Sequence, residues 1–119
     1  MEKIDTAWKI FSAYVLIIFL MLLTNLLSAQ VVVTQFNAEW NSTNDVEWFS
    51  KLSDCDITKV DIVKQPKLQD KHKIVIVPTI VIFKDGEEIK RYQADLSFKL
   101  LATRKEIQGF INEQIMSDF

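Results

Sequence analysis

Four residue types are scarce in this 119-residue chain: it has one cysteine, one histidine, two glycines and two prolines. The single Cys55 excludes an intramolecular disulfide and a cysteine-built metal centre, and the single His72 gives no second ligand. No metal and no other cofactor is expected. So little glycine and proline also argues against a low-complexity or disordered chain. Neither sign of charge dominates: 14 basic residues face 16 acidic ones, for a net charge of −2. Nucleic-acid binding therefore has no electrostatic footprint. The densest basic run, "KQPKLQDKHK" (Lys64 to Lys73), includes Asp70 and reads as a solvated helix face.

Charge is absent altogether between Lys9 and Glu39. The centre of that gap, Ile10 to Ala29, would span about 30 Å as a helix, the thickness of a bilayer core. Two readings compete. An uncleaved signal anchor fits the length of the run, the mixed flank (Glu2 and Asp5 against Lys3 and Lys9), and the large Leu27 at −3 from a cut after Ala29. A signal peptide cleaved near Ala29 fits the polar end "SAQ" and the strand-like run that begins at Val31. Lys3 and Lys9 precede the segment and the next lysine is Lys51, which keeps the N-terminus cytoplasmic. Both readings divide the chain into 1–29 and 30–119. Both place 30–119 on the exocytoplasmic side, periplasmic in a bacterium, tethered through residues 10–29 or released.

The remainder alternates strand and helix patterns. "VVVTQF" (Val31 to Phe36) is β-branched and apolar, as a buried strand should be. "NSTN" follows, where Asn41 or Ser42 can cap a helix carrying Asp45 in its first turn and Val46, Phe49 and Leu52 on one face. Of Trp48 and Phe49, one is expected in the core and the other partly exposed. "ITKVDIV" (Ile57 to Val63) alternates as a strand. Pro66 starts a short helix anchored by Leu68, with His72 near its C-terminal end as a favourable charge–dipole partner. Pro78 cannot donate to a ladder, so the next strand is placed at Thr79 to Phe83. "KDGE" is a hairpin turn, and Glu88 to Gln93 returns. Thr103 and Glu106 form a capping box for a helix that turns Ile107, Phe110, Ile111 and Ile115 to the core. The order is β-α-β-α-β-β-α, a four-stranded mixed sheet flanked by helices.

These residues resemble the thioredoxin family. "FNAEWNSTN" is similar to the strand end and Cys-Gly-Pro-Cys turn, with Trp40 at the family tryptophan. "VPTIVIFKDGEEI" is similar to the segment bearing the cis-proline, which puts Pro78 in that place. The likeness runs from about Val31 to Met116, and the proline–hairpin segment is its most specific part. The departures are chemical. Asn41 and Asn44 stand at both cysteine positions, and Gln35 stands where the family has its buried acid. Lys59 matches the family lysine beside that acid, and without the acid it is expected to cap the sheet or meet solvent. The helix after the turn looks shorter, the family's opening strand and helix are missing, and "ADLSFKLLAT" lengthens the link to the last helix.

Disulfide exchange needs a thiolate, and an asparagine amide provides none. The resemblance therefore implies a redox-inactive domain with no catalytic residue, binding a protein or extended peptide or serving as an accessory subunit of an envelope complex. The implied groove comprises Trp40, Asn41, Ser42, Thr43, Asn44, Val77 and Pro78, with the Val77 backbone pairing to an extended segment. The bland alternative for "NSTN" is a turn and cap with no ligand, or the whole domain as a spacer. "NST" also fits an N-glycosylation acceptor. Cys55 reads as a small buried hydrophobe. The alternative function is a thiol-disulfide oxidoreductase-related enzyme that uses Cys55 as a reactive thiol, or borrows a partner's thiol.

Overall fold

Strand β1 (Val31–Asn37) is the centre of the structure, and its sequence explains why. It is nearly continuous in β-branched and aromatic residues, so both of its faces are buried. A computed structural model of the chain describes residues 2–27 and 30–117. β1 pairs in parallel with β2 (Asp56–Asp61) on one side and antiparallel with β3 (Thr79–Lys84) on the other. β3 continues antiparallel into β4 (Glu87–Gln93), for a strand order β2-β1-β3-β4. Helix α2 (Pro66–His72) lies between β2 and β3 in sequence, and α3 (Arg104–Met116) ends the fold. The four-stranded mixed sheet read from the sequence is present.

Each face of the sheet has its own core. On one face Val31, Val33, Ile80 and Ile82 pack with Val46, Phe49, Leu52, Ile107 and Ile111. On the other, Phe36, Val60, Val77 and Val81 pack with Ile62 and Ile74, with Leu68 of α2 against them. Burying a side chain such as Phe49, fully enclosed here, contributes about 1.5–3 kcal/mol. Phe49 is the core residue of its pair, and Trp48 is half-buried, as expected. β2 is an edge strand whose first four residues are exposed.

Three local expectations hold in detail. Pro66 opens α2. The Thr103 hydroxyl caps α3, accepting from the Glu106 N–H at 3.2 Å. In the β3–β4 turn Asp85 and Gly86 both have positive φ, 53° and 84°, as a tight hairpin of this twist requires. Gly109 is another matter: it sits inside α3, and a β-carbon there would meet nothing within 4 Å. Gly109→Ala should therefore stabilise the chain by about 1 kcal/mol in urea denaturation, through helix propensity and a less flexible unfolded chain.

The helix expected after the turn is not an α-helix. Two 3₁₀ segments, Glu39–Asn44 and Phe49–Lys51, take its place. The cause is local. Asn41 has non-helical angles (φ −113°, ψ 21°), and Asp45 is extended at the end of the first segment (ψ 143°). Neither Asn41 nor Ser42 caps it: Ala38 is the N-cap, and it makes no side-chain cap bond.

His72 also differs from expectation. Its ring lies between Phe36 and Phe83, with centroids 5.4 and 5.3 Å away. This burial, with Lys71 adding, pushes its pKa below the ordinary value, so it packs as a neutral aromatic group rather than as a charge on the helix dipole.

The N-terminal helix α1 (Glu2–Leu27) is present, and its described side chains, Ala7 to Leu20, are all exposed. Among the described residues, no helix is long and apolar enough to cross a membrane. The expected 10–29 segment runs into Ser28 and Ala29, which lie outside the described residues.

Candidate functional site

The site lies where β1 ends. The chain leaves Asn37, passes Ala38 and enters the turn, so Trp40 to Asn44 sit at the C-terminal edge of the sheet. The Val77–Pro78 peptide is cis and immediately precedes β3, the strand antiparallel to β1. That pairing brings Val77 and the turn together. Asn41 Nδ2 reaches the Val77 carbonyl at 3.5 Å, although the two residues are 36 apart in sequence.

A web of amide hydrogen bonds holds the turn. Asn41 is 4% exposed. Its Nδ2 also donates to Asn37 Oδ1 at 3.1 Å and to the Phe98 carbonyl at 3.2 Å. Its Oδ1 accepts from Asn44 Nδ2 at 2.8 Å. Asn37 Nδ2 in turn donates to Asp45 Oδ1 at 2.9 Å. Among the described residues, no buried side-chain nitrogen or oxygen is left without a partner. Such enclosure rules out Asn41 as a glycan acceptor in the folded chain, since a sugar on Nδ2 would break these bonds with no room to sit.

Gln35, 1% exposed, is fixed at both ends of its amide. Its Oε1 accepts from the Val46 N–H at 2.9 Å, and its Nε2 donates to Asp45 Oδ1 at 3.1 Å. A carboxylate is thus present near the strand, but it comes from the turn. Lys59 meets solvent as expected, its side chain 56% exposed, and it also pairs with Asp45, Nζ to Oδ2 at 3.1 Å. The β1–β2 register, Gln35 beside Lys59, makes this meeting geometric. An open cleft of about 240 Å³ beneath the turn exposes this group beside Glu39, Ser42 and Asp61.

The groove residues are distributed unevenly. Trp40 is 62% exposed, Ser42 and Thr43 are exposed, and Asn44 is half-exposed, whereas Val77 and Pro78 are buried. The Val77 N–H has no partner among the described residues. Its carbonyl has only the 3.5 Å contact, the longest of the three made by Asn41 Nδ2. An amide carries two hydrogens, so those three acceptors cannot all be well satisfied, and the Val77 carbonyl is the one left short.

Sequence reasoning did not anticipate Phe98. Its ring stands edge-on to Trp40, with centroids 5.3 Å apart. The one aromatic residue in the link "ADLSFKLLAT" was the available signal.

Cys55 is not part of this site. It flanks Asp56, which pairs with Val32 at the start of β1, whereas the turn follows Asn37. Five residues of strand separate the two ends by about 16 Å. Cys55 is half-buried against the first core, and burial, then Asp56 and Asp54, push its thiol pKa up. That is the opposite of an activated nucleophile. Among the described residues, no group of three or more His, Cys, Asp or Glu side chains could hold a metal ion.

A central mixed sheet, a turn after its middle strand and a cis-proline facing that turn define a protein of the thioredoxin class with amides where thiols would stand. The chain belongs to the thioredoxin family: the Thioredoxin family model matches residues 22–106. It is a member without the two cysteines of the turn. It is 40% identical over 50 residues to the chloroplastic thioredoxin Y1 of Arabidopsis thaliana, covering 42% of this chain and 29% of that one. It is 37% identical over 76 residues to the human thioredoxin-related transmembrane protein 1, covering 64% of this chain and 24% of that one. The chain thus spans under a third of the length of these relatives. Among solved structures, a Halobacterium salinarum thioredoxin mutant superposes with TM-score 0.58 at 23% identity, covering 71% of this chain and 74% of that one. The reduced Schistosoma mansoni thioredoxin pre-protein gives TM-score 0.58 at 24% identity, covering 79% and 88%. These likenesses concern the fold.

Proposed function

We propose that this chain is a non-catalytic binding member of the thioredoxin family. Residues 30–119 would take an extended segment of a partner protein, as a binding module or an accessory subunit of an envelope complex. The observation that carries this reading is the Val77 backbone: an N–H with no described partner and an under-satisfied carbonyl, beside an exposed Trp40. An extended segment can pair with both groups, as in strand addition. Trp40 supplies the apolar contact that a binding centre needs.

The reading places the groove outside the cytoplasm, held at the membrane by α1. Ala7 to Leu20 of α1 are exposed, no charge follows Lys9 before Glu39, and Lys3 and Lys9 lie in the N-terminal part of the helix. The kinship with a thioredoxin-related transmembrane protein supports the same placement.

One experiment tests the role. A photo-crosslinker at Thr43, used in the native cell, should capture a defined protein, and Trp40→Ala should abolish that capture without loss of folding. A parallel disulfide-reduction assay on the same preparation should show no turnover. Capture of nothing specific would leave a spacer, and turnover lost in Cys55→Ser would make the chain an enzyme.

A further inference from the structure

The segment joining β4 to α3, residues 94–102, lies across the candidate groove. It is a small self-closed loop. The Asp95 N–H donates to the Lys99 carbonyl at 3.0 Å, and Asp95 Oδ1 accepts from the Ser97 and Lys99 N–H groups at 2.9 and 3.3 Å. Leu100 and Ala102 fix its far end against the core. Its projecting part has two ties to the turn: the Phe98 carbonyl accepts from Asn41 Nδ2, and the Phe98 ring meets Trp40. Phe98 stands at φ 63°, a left-handed conformation that a bulky L-residue disfavours, where its N–H closes the loop's own turn on the Asp95 carbonyl at 3.0 Å. Leu96 beside it is 93% exposed.

We propose that the 94–102 strap is a self-ligand that latches the groove in the free protein. It rests on the binding reading above. One amide nitrogen, Asn41 Nδ2, lies within reach of both the Phe98 carbonyl and the Val77 carbonyl. The strap therefore lies against Trp40 and beside the Val77 carbonyl, where an incoming extended segment must bring its own apolar side chain and the N–H that pairs with that carbonyl. Binding exchanges one for the other. The partner takes the Val77 carbonyl and the Trp40 ring, and Phe98 releases Asn41 Nδ2 and Trp40, with Leu96 moving beside it. A partner's apparent affinity is reduced by the fraction of molecules that are latched.

The test uses the full chain in detergent and peptides selected on it from a random display library. Phe98→Ala removes the ring contact but keeps the loop bonds, and should tighten selected peptides about 10-fold, the scale of one aromatic pair. A fluorine on the native Phe98 ring should resonate away from its solvent position in the free chain. It should shift toward that position on adding peptide, and already lie there in Trp40→Ala. Unchanged or weaker binding in Phe98→Ala overturns the latch. So does a fluorine at the solvent position in the free chain, whether or not a peptide is found. If neither the native chain nor Phe98→Ala selects any peptide, the groove reading itself fails, and the latch falls with it.

Discussion

Gln35→Glu should destabilise the chain by about 3 kcal/mol at pH 7 and by almost nothing near pH 4. The substitution restores an acid at the family position without changing shape. The Val46 N–H still has an oxygen to donate to, because Gln35 Oε1 already accepts there. The other end is the difficulty. Gln35 Nε2 now donates to Asp45 Oδ1 at 3.1 Å, and in the variant two carboxylate oxygens would face one another at that distance. They must share a proton, and residue 35, almost fully enclosed, is the harder one to ionise. Its folded pKa would therefore rise above the unfolded value of about 4.3. A raised carboxyl contributes its full stability below the unfolded pKa and loses it as pH climbs. Holding the proton at pH 7 costs at most about 4 kcal/mol, from roughly 1.4 kcal/mol per pH unit over the gap. Urea midpoints of wild type and variant at pH 7 and pH 4.3 measure the difference, and equal midpoints at both values would contradict the Gln35–Asp45 contact. Asp45→Asn in the same chain should recover only part of the loss: it removes the second carboxylate, but an amide nitrogen donating to residue 35 would face Asn37 Nδ2, which donates to Asp45 Oδ1 here.

The residues that make the fold were largely readable. β1 announced itself by continuous β-branched residues, α3 by Thr103, Glu106 and the Ile107/Phe110/Ile111/Ile115 spacing, and the hairpin by Asp85-Gly86. What failed was the segment after the turn. Val46, Phe49 and Leu52 are spaced by three, which is the 3₁₀ period, and the positions that an α-helix would add at i+4, Ser50 and Ser53, are polar. Three apolar residues at that spacing fit either helix, and the α-helix is the commoner of the two. The Asp45 contacts were hidden for a different reason. Its first-turn position has a local explanation on the helix dipole, whereas its real partners come from β1 and from Lys59 on β2. Only the β1–β2 register brings them together. Phe98 was hidden likewise, since nothing local in "ADLSFKLLAT" says that its carbonyl returns to residue 41.

The two positions where the family carries its cysteines are therefore still coupled. Residues 41 and 44 still touch, side chain to side chain, now through an amide–amide hydrogen bond of 2.8 Å. A disulfide and a hydrogen bond differ in what they tie. A disulfide closes the turn on itself. Asn41 shares its two amide hydrogens between β1 and the strap, with the pre-proline carbonyl the more distant third acceptor. The same residue, Asn41, thus stands at a cysteine position of the family and ties the strap to the turn.

Asn41→Asp should accordingly be among the most damaging conservative changes in this chain, at about 4 kcal/mol at pH 7. The variant keeps the volume and replaces the one donor group with an oxygen. That oxygen would face Asn37 Oδ1, the Val77 carbonyl and the Phe98 carbonyl, three acceptors with no hydrogen among them. The retained Oδ1 still accepts from Asn44, which stabilises the charge only in part. Protonation returns one donor, so the folded pKa would rise above about 3.9 and the penalty would grow as pH increases through that value. Asn41→Ala should cost less, about 2 kcal/mol, because it leaves acceptors unpaired but adds no charge. That order, Asp worse than Ala at pH 7 and the gap closing below pH 4, is what distinguishes a donor facing acceptors from simple loss of packing. Urea denaturation across pH measures it, and Ala worse than Asp at neutral pH would contradict the hydrogen-bond geometry. In Asn41→Asp the Phe98 carbonyl is repelled rather than held. Proteolysis should therefore cut first within residues 95–99, at urea concentrations well below those that unfold the sheet.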